Sequence, residues 1–407
     1  MWKDTTLGEY YDVRDGTHDS PQYVEDGYPL VTSKNLKNGK IDLSKIKYIS
    51  EKDYQHINKR SGVDVGDVLM AMIGTIGNPV EIIEPPKFAI KNVALFKTNT
   101  QQSPAYLRYF LSHPDTVSKM MSDAKGTTQK FVGLGYLRNF PISVPPLAEQ
   151  QRIVAKLDAA FAEIDNEIRL CKQNIDNSNT LFNSQLDYIF NNKNLSKSKE
   201  WIKSLLKDLC NNFKADIVDG PFGSNLKKSD YIDRGTEVLK IQNIKPFYIN
   251  NKKMSFVSKK KYHELKRHSF ASGDIIMTKL GEPLGVSAIV EDLKKGLIVA
   301  DLVRIRAAKI NTKFLCYQLN SPSINRYINS QQTGSGRKRI RLSVARELPI
   351  AHPSMEVQHE IVKSLDKIKN DIESLSNIYN LKLNNLESLK SSILNQNLCE
   401  NIKGNAA

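Results

Sequence analysis

Sliding the 407-residue sequence along itself gives one dominant register, an offset of 208 residues, about half the chain. Identical pairs in that register include Tyr23/Tyr231, Gly27/Gly235, Asn35/Asn243, Ser50/Ser258 and Tyr54/Tyr262. They continue through Leu107/Leu315, Tyr109/Tyr317, Pro114/Pro322, Gly126/Gly334, Lys130/Lys338, Pro141/Pro349 and Pro145/Pro353. The series closes with Gln150/Gln358, Ile153/Ile361, Val154/Val362, Leu157/Leu365 and Asp158/Asp366. Gly66-Asp67 matches Gly273-Asp274 one residue short of that offset, so one loop differs in length. Chance does not hold a register over so many positions, and the chain is two copies of one unit.

Each copy has a mixed part and a helical part. In the mixed parts, β-branched and aromatic runs predict short strands at Pro29–Thr32 and Glu237–Ile241, and again at Asp67–Met72 and Asp274–Thr278. Glycines follow the latter pair at Gly74/Gly77 and Gly281/Gly285 and mark tight loops. Short helices are predicted at Tyr106–Leu111 and Phe314–Leu319. The helical parts carry heptad seams. One runs Leu157, Phe161, Ile164, Ile168, Cys171, Ile175, Ser178, Phe182, and its twin runs Ile361, Leu365, Ile368, Ile372, Leu375, Tyr379, then Leu386 and Ile393. Pro145-Pro146 and Pro353 stand just before the helix starts, where proline is tolerated.

A lone helix of this length would leave its apolar stripe in water, so the two seams are expected to bury each other. If the first helix leads from one mixed domain to the other, the second must run back antiparallel. The expected fold class is α+β: two pseudo-repeated mixed domains joined by two long antiparallel helices forming a coiled coil. The boundaries are 1–146 and 200–353 for the mixed domains, and 147–192 and 354–400 for the helices. A dumbbell with a pseudo-two-fold axis follows as an expectation.

Charge is distributed unevenly. Residues 1–146 carry a net +2, the two helical segments −1 each, and residues 201–353 carry +15, which equals the net of the whole chain. A basic domain of this kind faces a polyanion, and nucleic acid is the commonest one. The bland alternative is a solvated surface kept soluble by its charge. No apolar run reaches the length of a membrane span, and the N-terminus has no secretory leader pattern. Four scattered cysteines (Cys171, Cys210, Cys316, Cys399) lack CxxC spacing and fit reduced thiols in a cytoplasm.

Catalytic motifs do not accumulate. Phe131-Val-Gly133-Leu-Gly135 matches the FxGxG of S-adenosylmethionine-dependent methyltransferases, but no Asn/Asp-Pro-Pro-Tyr/Phe follows and the copy at 339–343 lacks the glycines. His263 and His268 are one residue too far apart for a zinc HExxH helix. Glu264-Leu-Lys266 is a nuclease-like tripeptide without an acidic partner. Neither a catalytic nor a metal site is expected in this chain.

What recurs is chemistry suited to DNA. Gly126-Thr127-Thr128-Gln129-Lys130 and Gly334-Ser335-Gly336-Arg337-Lys338-Arg339-Ile340-Arg341 occupy matching positions, so that Gln129 and Lys130 fall on Arg337 and Lys338. Lys34-Asn35 and Gln242-Asn243 match directly after a predicted strand, with Lys240 just before the second pair. Thr75 and Lys279 belong to the glycine loops. Ser224, Asn225, Lys227 and Lys228 form a polar loop in the second copy alone. Such side chains reach phosphates and base edges, while for any one of them a turn or a solvated lysine is an equal alternative.

Pro141-Ile-Ser-Val-Pro145-Pro146-Leu-Ala-Glu149-Gln150-Gln-Arg152-Ile153-Val154-Ala-Lys-Leu157-Asp158 resembles the domain–helix boundary of type I restriction-modification specificity subunits. Gly126–Lys130 and Asp219-Gly-Pro-Phe-Gly223-Ser are similar to that family too, and its architecture covers the whole chain. The second boundary, Ala351-His352-Pro353-Ser354-Met355-Glu356-Val357-Gln358, departs from the pattern. The resemblance implies a non-catalytic, cytoplasmic subunit that binds double-stranded DNA at an asymmetric bipartite target. It also implies two modification subunits carrying S-adenosylmethionine and two restriction subunits using ATP and magnesium, with no cofactor in this chain. A coiled-coil scaffold that binds proteins is the competing class, and a single-chain restriction-methylation enzyme is disfavoured by length and missing motifs.

Overall fold

A computed structural model of the chain describes residues 2–191, 201–334 and 337–398. Cys399, Ser335, Gly336, positions 192 and 200, and the last expected helix residues at 399–400 lie outside the described residues. The chain divides into two compact units, Met1–Cys171 with Asn380–Ala407, and Lys172–Tyr379.

In the first unit, an antiparallel sheet orders its strands Asp12–Asp15, Val93–Lys97, Val68–Ala71, Gly77–Glu81. Val68, Leu69, Met70 and Ala71 are buried on both faces, which explains the unbroken apolar run there. A second sheet orders Ala89–Lys91, Tyr28–Thr32, Lys47–Ile49, Tyr23–Val24, with its first pair parallel. The second unit repeats the plan. Ile217–Asp219, Leu302–Ile305, Ile275–Thr278 and Ser287–Ile289 make one sheet, and a five-stranded sheet centres on Thr236–Leu239 beside the parallel strand Lys295–Ile298. The predicted short helices are Pro104–Ser112 and Thr312–Leu319, and the expected strand Glu237–Ile241 stops at Leu239 because Ile241–Asn243 forms a 3-10 turn.

One part of the repeat slips further than the identities indicate. Lys3 pairs opposite Val144 while Ile202 pairs opposite His352, so the N-terminal strands are offset by 199 residues although their partners keep 208. Loops between them absorb the difference.

The long helices are Leu147–Asn191 and Met355–Leu398. Their antiparallel pairing is visible inside each unit separately. In the first, Leu157 clusters with Leu394 and Leu398, and Lys390–Asp165 and Lys382–Glu167 are ion pairs. In the second, Asn174 donates to the Tyr379 hydroxyl at 3.2 Å, while Phe182 and Leu186 share a cluster with Leu365, Ile368 and Ile372. Leu375 was expected in the seam but stands 44% exposed. A 3.6-residue turn drifts against a 3.5-residue repeat, and Ser376 is half-buried beside it, while Tyr379 keeps its expected inward place.

Candidate nucleic-acid interface

Each unit has a concave face whose lining corresponds in part across the repeat. In the first unit a groove of about 800 Å³ is lined by Tyr23, Thr32, Lys34, Lys47, Thr75 and Gln129, among others. In the second, one of about 560 Å³ is lined by Tyr231, Lys240, Gln242, Pro221 and Gly223. Tyr23 and Tyr231 correspond, as do Thr32 and Lys240, and Lys34 and Gln242. Both tyrosines hold a cation over the ring: Lys47 at 4.2 Å in one unit and Lys240 at 4.0 Å in the other. The plan is conserved between the halves while the lining chemistry differs.

The basic and polar loop of each unit is held in the same way, and in the first unit its Gln129 lines the groove. Lys125 and Phe131 form a bridge, as do Thr333 and Arg339. Gly74 N–H donates to the Lys130 carbonyl at 2.8 Å, and Gly281 N–H to the Lys338 carbonyl at 3.0 Å. Gly126 and Gly334 have φ of +99° and +104°, and a Cβ would come within 2.3 Å and 2.7 Å of the carbonyl oxygens of Gln129 and Arg337. These glycines make the turn, which leaves Thr127, Thr128, Gln129, Lys130, Arg337, Lys338, Arg339 and Arg341 exposed on its far side. Lys338 is shared with Glu282 at 3.2 Å, and Lys130 donates to the Met121 carbonyl. Lys34, Thr75, Asn225, Lys227, Lys228 and Gln242 are also exposed, and Lys240 is partly so. The side chain of Ser224 lies outside the described residues.

Two pairings of sequence with function are corrected by burial. Asn35 Oδ1 accepts from Thr32 N–H at 3.0 Å and its Nδ2 donates to the Asp42 carbonyl. Asn243 does the same with Lys240 N–H and the Asn250 carbonyl. Both amides are buried and occupied in closing a turn, which is why they recur. Lys279 is buried as well, paired with Asp219 at 2.5 Å, so its charge is already neutralised.

Sequence reasoning named both residues but not their pairing. Asp219 begins the Gly-Pro-Phe loop, and the corresponding Asp15 of the first unit is buried against Arg60 and His18. Their offset is 204 residues, outside the dominant register. Phe222, 61% exposed, lies with its ring 4.6 Å from the Lys279 ammonium. In the first groove, the Lys37 ammonium, followed by Ser44, holds the half-buried Asp42 carboxyl below the ordinary carboxylate range.

Phe131-Val-Gly133-Leu-Gly135 builds no glycine cradle: it runs into the short helix Leu134–Arg138, and a Cβ at either glycine would meet open space. Among the described residues no three His, Cys, Asp or Glu side chains gather as metal ligands, and no helix is long and apolar enough to cross a membrane.

The domain–helix junctions are equally duplicated. Gln150 Oε1 accepts from Ser103 N–H at 3.1 Å and its Nε2 donates to the Pro145 carbonyl at 2.9 Å. Gln358 bonds to Asn311 and Pro353 in the same way, at 2.9 Å each.

Comparison with known proteins agrees with this duplicated plan. The type I restriction enzyme MjaVIII specificity subunit of Methanocaldococcus jannaschii is 24% identical over 97% of this chain and 91% of its own length. The EcoBI specificity subunit of Escherichia coli is 23% identical over 91% of this chain and 79% of its length. Among solved structures, a chain from work on complex assembly and conformational transition of the type I R-M system is similar with a TM-score of 0.73 at 20% identity, covering 98% of this chain and 97% of that one. The crystal structure of the HsdS subunit from Thermoanaerobacter tengcongensis is similar with a TM-score of 0.53 at 20% identity, covering 98% and 96%. The family model of the type I restriction modification DNA specificity domain matches residues 1–173 and 198–383. The chain therefore belongs to the type I restriction-modification DNA specificity family.

Proposed function

We propose that the chain reads an asymmetric, bipartite duplex DNA target, one half with each unit, and recruits the subunits that act on it. The observation that carries this reading is the pair of corresponding grooves and glycine-turn loops whose linings differ. Two readers of one fold with different side chains select two different half-sites, so the target has no two-fold symmetry. Lys34, Thr75 and Gln129 converge on one groove, and Lys240 and Gln242 on the other. The exposed arginines at 337, 339 and 341 add phosphate attraction in the second unit, where the net charge is concentrated.

The chemistry belongs to partners under this reading. Two modification subunits would bring S-adenosylmethionine, and two restriction subunits ATP and magnesium, to DNA held by this non-catalytic chain in the cytoplasm. The test is selection from a randomised duplex pool by the full chain, alone and with its modification partner. Two short blocks of different sequence separated by unselected positions are expected. A single contiguous block, a palindrome, or no enrichment would overturn the proposal, and the last outcome would favour a protein-binding scaffold.

A further inference from the structure

Gly16 and Gly220 press against corresponding stretches of backbone in the two units. A Cβ on the first would lie 2.4 Å from the Ile90 carbonyl oxygen, and on the second 2.2 Å from that of Val299 and 2.5 Å from that of Ile298, the partner of Ile90 in the 208-residue register. Each backbone is therefore pinned, and the side chain two residues later projects from a fixed root. In the first unit that residue is His18, tied down through Nδ1 to Asn92 Oδ1 at 2.7 Å and through Nε2 to Asp15 at 2.8 Å. In the second it is Phe222, which has no such tether. Its ring rests on Lys279, itself locked to Asp219, and stays 61% exposed between Pro221 and Gly223, two residues lining the groove.

An exposed phenyl ring gains nothing from water, and here it lies over an ammonium held in one place by its buried partner Asp219. Lys227 and Lys228 stand exposed a few residues along the same loop. Cations that attract phosphate beside an aromatic face are the combination that binds stacked bases.

We propose that Phe222 is an aromatic wedge that stacks against a base step in the half-site read by the second unit. The proposal rests on the DNA-recognition reading above. A wedge favours steps that unstack easily, such as pyrimidine–purine steps, so Phe222 contributes specificity without a hydrogen bond. His18 gives the first unit a polar counterpart, and the two half-sites are deformed differently.

The experiment uses the full chain and a duplex it enriches from a randomised pool, with 2-aminopurine placed at successive positions. Wild type is expected to raise the fluorescence at one step, reporting unstacking. Phe222→Ala should lose that signal and weaken binding about tenfold, with the dependence on salt unchanged because no phosphate contact is removed. Phe222→Tyr keeps the ring and should retain both signal and affinity. Wild-type affinity and signal in Phe222→Ala would overturn the wedge, as would a loss accompanied by a flatter salt dependence or equal on an unrelated duplex. If wild type enriches no duplex, the recognition reading fails and the wedge falls with it. Enrichment with an unaffected Phe222→Ala sinks the wedge alone.

Discussion

Tyr317 donates its phenolic hydrogen to Asp366 at 2.6 Å, joining the short helix Thr312–Leu319 to the long helix Met355–Leu398 inside the second unit. Tyr109 and Asp158 make the same bond in the first unit. Burial, then the carboxylate, pushes the Tyr109 phenol up to about 12, so it stays a neutral donor at physiological pH. The repeat thus conserves a lock between each mixed domain and its helix.

Tyr317→Phe keeps the ring and removes the donor. A hydrogen bond to a charged, partly exposed acceptor is worth about 1–2 kcal/mol. The urea midpoint of the second unit should fall accordingly. No change would mean that Lys313, 3.1 Å from Asp366, holds the carboxylate alone.

Gln358 is the more sensitive junction. Gln358→Leu leaves the Asn311 N–H and the Pro353 carbonyl without their partner in a buried site. Each orphaned group costs about 1–3 kcal/mol, so a loss of about 2–6 kcal/mol is expected in equilibrium unfolding. Gln150→Leu should behave alike, while Arg152→Ala on the exposed side should leave the midpoint unchanged.

The duplicated architecture was legible because heptads and a fixed offset carry long periodic information. The candidate interface was legible only in part. Asn35 and Asn243 recur as strongly as any pair, yet they recur because a turn needs a buried amide, and repetition alone cannot separate the two causes. The match of Asp15 with Asp219 was hidden because unequal loops shift it out of the 208-residue register. The first groove gathers Tyr23, Thr75 and Gln129 from segments far apart in the chain, and no local pattern predicts that convergence. Leu375 fits the heptad on paper, but helical drift turns it outward.

His113 supplies a pH dependence. It is fully buried in the first unit, where burial holds its pKa below the ordinary 6.5 and Asp115 pulls more weakly the other way. The unfolded chain therefore takes up a proton below pH 6.5 that the folded chain resists. Stability should be level above that value and fall as pH drops through 6.5 toward the depressed folded pKa, by at most about 1.4 kcal/mol per pH unit. Urea unfolding from pH 7.5 to 5 checks the sign. His113→Asn should flatten the profile in this window, and an unaltered slope would assign it to another group.

The charge asymmetry makes a prediction about salt. Residues 201–353 carry the chain's whole excess, and Arg337 and Arg339 stand exposed on the glycine turn. Lys338 is partly neutralised by Glu282. Neutralised phosphates release counterions, and log K falls with log salt by about 0.9 for each contact. Replacing all three with alanine should therefore flatten the slope by about two rather than three, and weaken binding most at low salt. The corresponding triple change at Thr127, Gln129 and Lys130 removes one cation, already bonded to the Met121 carbonyl, and should flatten it by less than one. Fluorescence anisotropy with a fixed duplex between 50 and about 200 mM salt measures both slopes. Equal flattening would place the DNA away from the second unit's basic turn. A loss confined to particular sequences, with the slope intact, would instead make Arg337 or Arg339 a reader of guanine.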